Sequence, residues 1–429
     1  MIGRLFCLAE NGTNVRTELV AGATTYLTMA YILFVNPAIL SEAGMDKGAV
    51  FVATCLASAL ATLLMGLLAN YPIALAPGMG LNAYFAYSVV KGLHYSWQLA
   101  LGAVFLSGLL FLILSLTRVR AWIVDAIPLS QKMAISAGIG LFLGIIALKD
   151  AGIVVGNPET LVTLGDLKNP AALLAAAGFC VMVALDRIGV HGAILIAVLA
   201  TAASGILLGV SPFAGIAATP PSLAPTFLAL DLRGALDLGL ATIVFAFLFI
   251  DLFDNTGTLV GVAYRAGLIR PDGTLPRAGR AFTAVSLAAM GGAVLGTSTV
   301  TSYIESASGV KAGGRTGLTA IAVAVLFLLS LFFAPLAQSV PLYATAPALL
   351  FVACLMARGF ADLAWDDVTE YAPAVVTAIS MPLTFSIANG IAFGFITYAA
   401  VKLLSGRIAE ARPALLVLAL LFIVKYAFF

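Results

Sequence analysis

Charge is the scarcest commodity in this chain. Charged residues make up 10% of it and hydrophobic residues 62%, whereas soluble domains carry about a quarter charged residues. With a mean hydropathy of +1.09, a soluble globular domain is excluded. The formal net charge of +2 gives no basic surface for a nucleic acid. Histidine is nearly absent: His94 and His191 are the only two, each near an expected helix end and without a partner motif, so a metalloenzyme has almost no ligands. Neither metal nor cofactor is expected. The four cysteines, Cys7, Cys55, Cys180 and Cys354, lack metal spacing and fall mostly in apolar runs, where cysteine behaves as a small hydrophobe. Residues 1–16 are short and polar and lack the small-residue cut site of a cleaved signal, so the N-terminus is expected to stay cytosolic.

What the chain has instead is a series of apolar windows, each long enough to cross a hydrocarbon core of about 30 Å as a helix. Spans are expected near 17–40, 49–70, 73–91, 96–117, 128–149, 170–187 and 190–209, then, after a loop rich in Pro and small residues at 211–234, near 235–262, 280–296, 299–312, 316–336, 342–358, 370–387 and 389–405. The expected fold is an all-α polytopic membrane protein of fourteen transmembrane segments, a 7+7 inverted repeat in which segments 3 and 10 are broken and contain short extended stretches. The apolar tail Ala414–Phe429 adds either a fifteenth crossing or a helix lying in the interface. An odd number of spans per half inverts the second copy. With the N-terminus inside, Arg4, Arg16, Arg118, Arg120, Arg187, Arg265, Arg270, Arg277, Arg280, Lys311, Arg315, Arg358, Lys402, Arg407 and Arg412 face the cytosol, against Lys47, Lys91, Lys149, Lys168 and Arg233 outside. That imbalance obeys the positive-inside rule. Trp97, Trp122 and Trp365 sit near span ends, as interfacial anchors do.

Two carboxylates stand where lipid should exclude them. Asp254 follows the apolar run Leu240–Ile250, and Glu305 lies in the Gly/Ser/Thr-broken stretch Gly296–Ser306. A charge at bilayer depth costs about 2.5–3.5 kcal/mol even on the lenient insertion scale, and so marks a substrate or proton path. Asp251, three residues before Asp254, shares its helical face; it is either a further proton carrier or a partner for a neighbouring Ser, Thr or Asn. Breaks at matching places in two halves point to a transporter's binding site, here Ala76-Pro-Gly-Met-Gly-Leu-Asn-Ala-Tyr-Phe85 and Thr297-Ser-Thr-Val-Thr-Ser-Tyr-Ile-Glu-Ser306. Glu305 is expected opposite Asn82 in the pseudo-repeat. Gly140-Leu-Phe-Leu-Gly144 has the small-xxx-small pattern of helix packing. Gly313-Gly-Arg-Thr-Gly317 superficially looks like a phosphate loop but lacks the Gly-Lys-Ser/Thr ending and a preceding strand, and reads as a cytosolic turn.

Several of these stretches resemble one family along nearly the whole chain. Ala21-Gly-Ala-Thr-Thr-Tyr-Leu-Thr-Met-Ala-Tyr31 with Asn36-Pro37, the Ala76–Tyr87 stretch, Asp251-Leu-Phe-Asp-Asn-Thr-Gly-Thr258, and Ser302-Tyr-Ile-Glu-Ser-Ala-Ser-Gly309 through Gly317 are similar to the nucleobase–cation symporter 2 superfamily and, within it, to the AzgA-like purine permeases. The resemblance implies a core domain of segments 1–4 and 8–11 (1–117 and 235–336) and a gate domain of segments 5–7 and 12–14 (118–234 and 337–429). It also implies a homodimer in the cytoplasmic membrane whose core slides against its gate, and proton-coupled purine uptake. By motif position, Asp254 and Glu305 match the carboxylates that hold the base, and Gly80 and Asn82 match the helix-3 break. Thr258 stands where uracil-type members carry histidine, and Ser306 where they carry asparagine, which argues against pyrimidines. The Gly-Leu-Asn-Ala-Tyr sequence resembles the hypoxanthine/guanine branch more than the adenine branch.

A neutral purine offers N–H donors that two carboxylates can accept, while Asn82 and freed backbone groups meet its ring nitrogens and carbonyl. Desolvation favours the protonated form of a carboxyl group, so Asp254, Glu305 or Asp251 could carry the coupling proton; sodium is the other cation left open. Two competing readings are an anion transporter of the same fold, which paired carboxylates would repel, and a membrane-embedded enzyme, whose one chemical handle would be an aspartyl-type dyad of Asp254 and Glu305. A transporter rather than an enzyme is the expectation.

Overall fold

The computed structural model describes residues 2–117, 127–236, 240–268 and 275–428. Arg118, Arg120, Trp122 and Arg270 therefore lie outside the described residues.

Short polar caps start the helices. Asn14 accepts from the Thr17 N–H to open α1 (Val15–Met29), satisfying a donor that the first turn cannot. After Ala30 and Tyr31 the chain continues as α2 (Ile32–Ser41). Asp46 caps α3 (Lys47–Leu64) through the Ala49 N–H at 2.7 Å, and a π-helical turn carries it to Ala69. The third segment is broken as expected: strand β1 (Leu75–Pro77) leads into α4 (Met79–Ala83), which runs on in π-helical form to Gly92. Helices α5 (Trp97–Leu116) and α6 (Leu129–Asp150) follow. An antiparallel hairpin of β2 (Val154–Asn157) and β3 (Leu161–Leu164) then precedes α7 (Pro170–Arg187) and α8 (Ala193–Leu207). The hairpin lies between two expected spans; its turn is held by Asn157 Oδ1, which accepts from the Glu159 and Thr160 N–H groups.

The second series begins with α9 (Ala241–Arg265) and α10 (Ala278–Leu295). Gly296, at φ 91°, stops α10; a Cβ there would lie 2.2 Å from Thr226 Cβ, so both conformation and space require glycine. Strand β4 (Val300–Ser302), α11 (Ser306–Lys311) and α12 (Gly317–Leu329) come next. They are followed by α13 (Leu342–Ala357), α14 (Val368–Leu383), α15 (Ile387–Leu404) and α16 (Pro413–Phe428) in the apolar tail. Among the described residues, ten helices are long and apolar enough to cross a membrane. The other expected spans are the shorter helices α8 and α14 and the two broken segments.

The chain divides into two compact units. One comprises Met1–Leu116 and Asp150–Ala348, the other Thr117–Lys149 and Leu349–Phe429. In the second, α14 packs on α15 and α15 on α16. There the Gly140 pattern serves close packing: a Cβ at Gly140 would meet the Ala353 carbonyl oxygen and Met356 Cβ, each at 2.9 Å. In the first unit, packing occurs in exchanged pairs. Helix α5 packs on α10 as α3 does on α12, α5 on α9 as α1 does on α12, and α4 on α9 as α11 does on α1, while β1 pairs with β4.

Candidate functional site

The strands β1 and β4 cross antiparallel, with Ala76 opposite Thr301 at the centre, and every one of their residues is buried. Extended backbone within a membrane protein survives only where protein or a water-lined cavity receives its polar groups. Here side chains do so. Thr62, on α3, takes the Leu75 N–H at 2.9 Å and donates to the Leu75 carbonyl at 3.0 Å. Ser306 Oγ accepts from the Ala74 N–H at 3.0 Å, Asn255 Oδ1 accepts from the Ser302 N–H at 2.7 Å, and the Tyr303 hydroxyl donates to the Pro77 carbonyl at 2.6 Å. Between the strand ends, the Gly78 N–H donates to the Thr299 carbonyl and the Tyr303 N–H to that of Ala74, each at 3.0 Å.

Helix α9 packs on β4 and α11, bringing Asp254 to the crossing. The Thr301 hydroxyl faces the Asp254 carboxylate, and Glu305 is near enough to act on it electrostatically. Glu305 lies in the turn between β4 and α11, where its Oε1 accepts from the Tyr31 hydroxyl at 2.6 Å. Both carboxylates remain partly accessible, whereas Asp251 is buried. Asp251 Oδ1 accepts from Asn255 Nδ2 at 2.7 Å, the local Asn pairing that was one of its two sequence readings, while its Oδ2 has no partner among the described residues.

The strand register shifts one expectation by two residues. Counted from the paired centre, Gly80 rather than Asn82 is the counterpart of Glu305, and Asn82 is the counterpart of Ala307. Gly80 is in the first turn of α4, partly accessible, and Asn82 is fully buried in the same short helix. The Asn82 side chain has neither its Oδ1 nor its Nδ2 partnered among the described residues. The Tyr84 ring, two residues on, meets Phe247 of α9 edge-on at 5.0 Å, fixing α4 against the carboxylate-bearing helix. Thr258 is buried one turn beyond Asp254. Ser306 is buried with its hydroxyl on the Ala74 N–H, so it serves the strand crossing directly. In the sequence, Tyr31, Asn255 and Tyr303 stand out only as parts of motifs; the signal available for each is a tyrosine or asparagine inside an apolar run, which needs a partner when buried.

The arrangement offers two carboxylates able to accept from N–H donors and an amide able both to donate and to accept. Residues 16–393 match the sequence pattern of the permease family. The adenine permease AdeP of Escherichia coli (strain K12) is 48% identical over 428 residues, covering 100% of this chain and 96% of the relative. The chain belongs to the xanthine/uracil permease family. The guanine/hypoxanthine permease PbuG of Bacillus subtilis (strain 168), from the same family, is 47% identical over 435 residues, covering 99% of each chain. Overall identity therefore does not choose between these purines. Among solved structures, the transmembrane domain of a cyanobacterial bicarbonate transporter, BicA, superposes with a TM-score of 0.66 at 16% identity, covering 86% of this chain and 97% of that one; this likeness is one of fold. As a member of a permease family, the chain is a multi-pass membrane transporter and not an enzyme.

Proposed function

We propose that this permease takes up neutral purine bases across the cytoplasmic membrane together with a proton, binding the base at the strand crossing. The observation that carries the reading is Asn82: a fully buried carboxamide with neither polar atom partnered among the described residues, on the helix that continues from β1. An unmet buried polar group costs roughly 1–3 kcal/mol, and a purine edge has the complementary donors and acceptors. Asp254 and Glu305 accept the N–H groups of the base. One of them, or Asp251, carries the proton, so that site and cargo cross with less net charge. The named purine permeases among the relatives support this substrate class. Thr258 and Ser306, in the positions held by histidine and asparagine in uracil-type members, support purine over pyrimidine.

A count of fourteen spans is supported by the ten long helices together with the shorter α8 and α14 and the two broken segments, and an inverted repeat is supported by the exchanged packing pairs. On this reading the N-terminus is cytosolic, the protein is a homodimer and alternating access is of the elevator type. The test is uptake of radiolabelled hypoxanthine, guanine and adenine into proteoliposomes under an inside-alkaline pH gradient and, separately, a sodium gradient, challenged by uracil and sulfate. Accumulation driven by the pH gradient and blocked by purines alone is expected. Block by sulfate and not by purines would overturn it in favour of an anion carrier.

A further inference from the structure

We propose that a groove in the first unit, at one end of its spanning helices, binds the headgroup of an anionic glycerophospholipid. The groove has a volume of ≈ 510 Å³ and is lined by Leu67 and Leu68 from the π turn that ends α3, Ser115 and Leu116 from the end of α5, and Arg280 and Thr283 from the start of α10. Its walls differ in chemistry. Leu67, Leu68 and Leu116 are 51%, 38% and 72% exposed, an apolar surface at the ends of three spanning helices, suited to acyl chains. Arg280 is exposed and makes no ion pair among the described residues. Its neighbour Arg277 is differently occupied, with its guanidinium 5.7 Å from the centre of the Tyr71 ring.

The hydroxyls refine the match. Thr283 donates to the Gly279 carbonyl at 2.9 Å, so its proton is already used. Ser115 Oγ lies 3.4 Å from Ser286 Oγ, a long contact that leaves it able to turn toward an oxygen in the groove. A guanidinium and a hydroxyl above a bed of leucines complement a phosphate diester that carries its own acyl chains. Inorganic phosphate would use the arginine and leave the leucines unmatched, which decides for the lipid. An added cationic choline would bring like charge to Arg280, which decides for an anionic headgroup. This assignment does not rest on the transport reading.

The test is native mass spectrometry of the purified full chain with phosphatidylglycerol and phosphatidylcholine of identical acyl chains. The wild type is expected to retain phosphatidylglycerol about fivefold better, the effect of roughly one interfacial arginine. Arg280→Gln should abolish that preference and Arg280→Lys should keep most of it. Leu67→Trp, which fills the groove, should lower retention of both lipids. An unchanged preference in Arg280→Gln, or equal thermal protection by inorganic phosphate in phosphatidylcholine alone, would overturn the assignment.

Discussion

The Tyr31 hydroxyl donates to Glu305 Oε1 at 2.6 Å although the two residues are 274 positions apart. A hydrogen bond to a charged group contributes about 1.5–3 kcal/mol, and this one holds the carboxylate in one orientation. Tyr31→Phe removes the donor and keeps the ring, so purine KM should rise about tenfold with little change in the amount of folded protein. Glu305→Gln retains an oxygen for Tyr31 and should fold, but should lose concentrative uptake. Initial-rate uptake kinetics paired with size-exclusion profiles would decide; undiminished accumulation by Glu305→Gln would remove Glu305 from the coupling step.

The carboxylates were legible because membrane depth makes charge rare, and the broken segments because Pro77, Gly78 and the Thr/Ser run interrupt apolar sequence. Register was not. Whether Asn82 or Gly80 stands in the place of Glu305 depends on which strand residues pair, and the centre at Ala76 and Thr301 is fixed by tertiary hydrogen bonds from Thr62, Ser306 and Asn255. The Gly313–Gly317 turn shows a second limit. It lacks the motif of a phosphate loop, yet its backbone holds a carboxylate supplied by the chain. Glu18 accepts from the Arg315 N–H at 2.9 Å and from the Thr316 and Thr319 hydroxyls at 2.9 and 2.6 Å. No local pattern links Glu18 to a turn 297 positions away.

Asn255 joins two elements with one side chain. Its Nδ2 donates to Asp251 Oδ1 and to the Asp251 carbonyl, while its Oδ1 accepts from Ser302 N–H and Oγ. Asn255→Ala strands a buried backbone donor and a buried carboxylate together. The expected cost is about 2–4 kcal/mol, read as a lower thermal midpoint in detergent for every substrate condition tried. Asn255→Asp should be worse, because it replaces the donor with a second charge beside Asp251. A midpoint within experimental error of wild type would mean that the strand crossing is held without Asn255.

Acid should loosen the second unit through Asp367 and Glu410, carboxylates that lie just beyond the ends of α14 and α15. Asp367, which caps α14, is held down to about 2, first by the Thr369 hydroxyl at 2.7 Å and the Thr369 N–H at 2.9 Å, and then by Arg407 at 2.8 Å. Glu410 is lowered by Lys402 and then Arg407, both at 2.7 Å. Ordinary carboxyl groups titrate near about 4, so below that pH the unfolded chain binds more protons than the folded one. The stabilisation is present above the ordinary range and is lost as pH falls from about 4 toward about 2. Thermal midpoints should be flat from about pH 7 to 5 and then drop, and Asp367→Asn should flatten part of the drop. An identical acid limb in Asp367→Asn would assign the loss to other groups.

Asn82 should behave in the opposite way to Asn255, because its side chain has no hydrogen-bond partner among the described residues. Its carboxamide is buried with neither polar atom partnered among the described residues, so Asn82→Ala should leave the thermal midpoint unchanged or slightly higher. The base, however, would lose one or two hydrogen bonds inside a site shielded from water, an expected fall in affinity of about 10- to 100-fold. Affinity by scintillation proximity and thermal midpoint should be measured on the same preparation, since the two readouts separate a ligand contact from a structural one. A midpoint several degrees lower with unchanged affinity would assign Asn82 to a water-filled structural site and withdraw the observation on which the purine site rests.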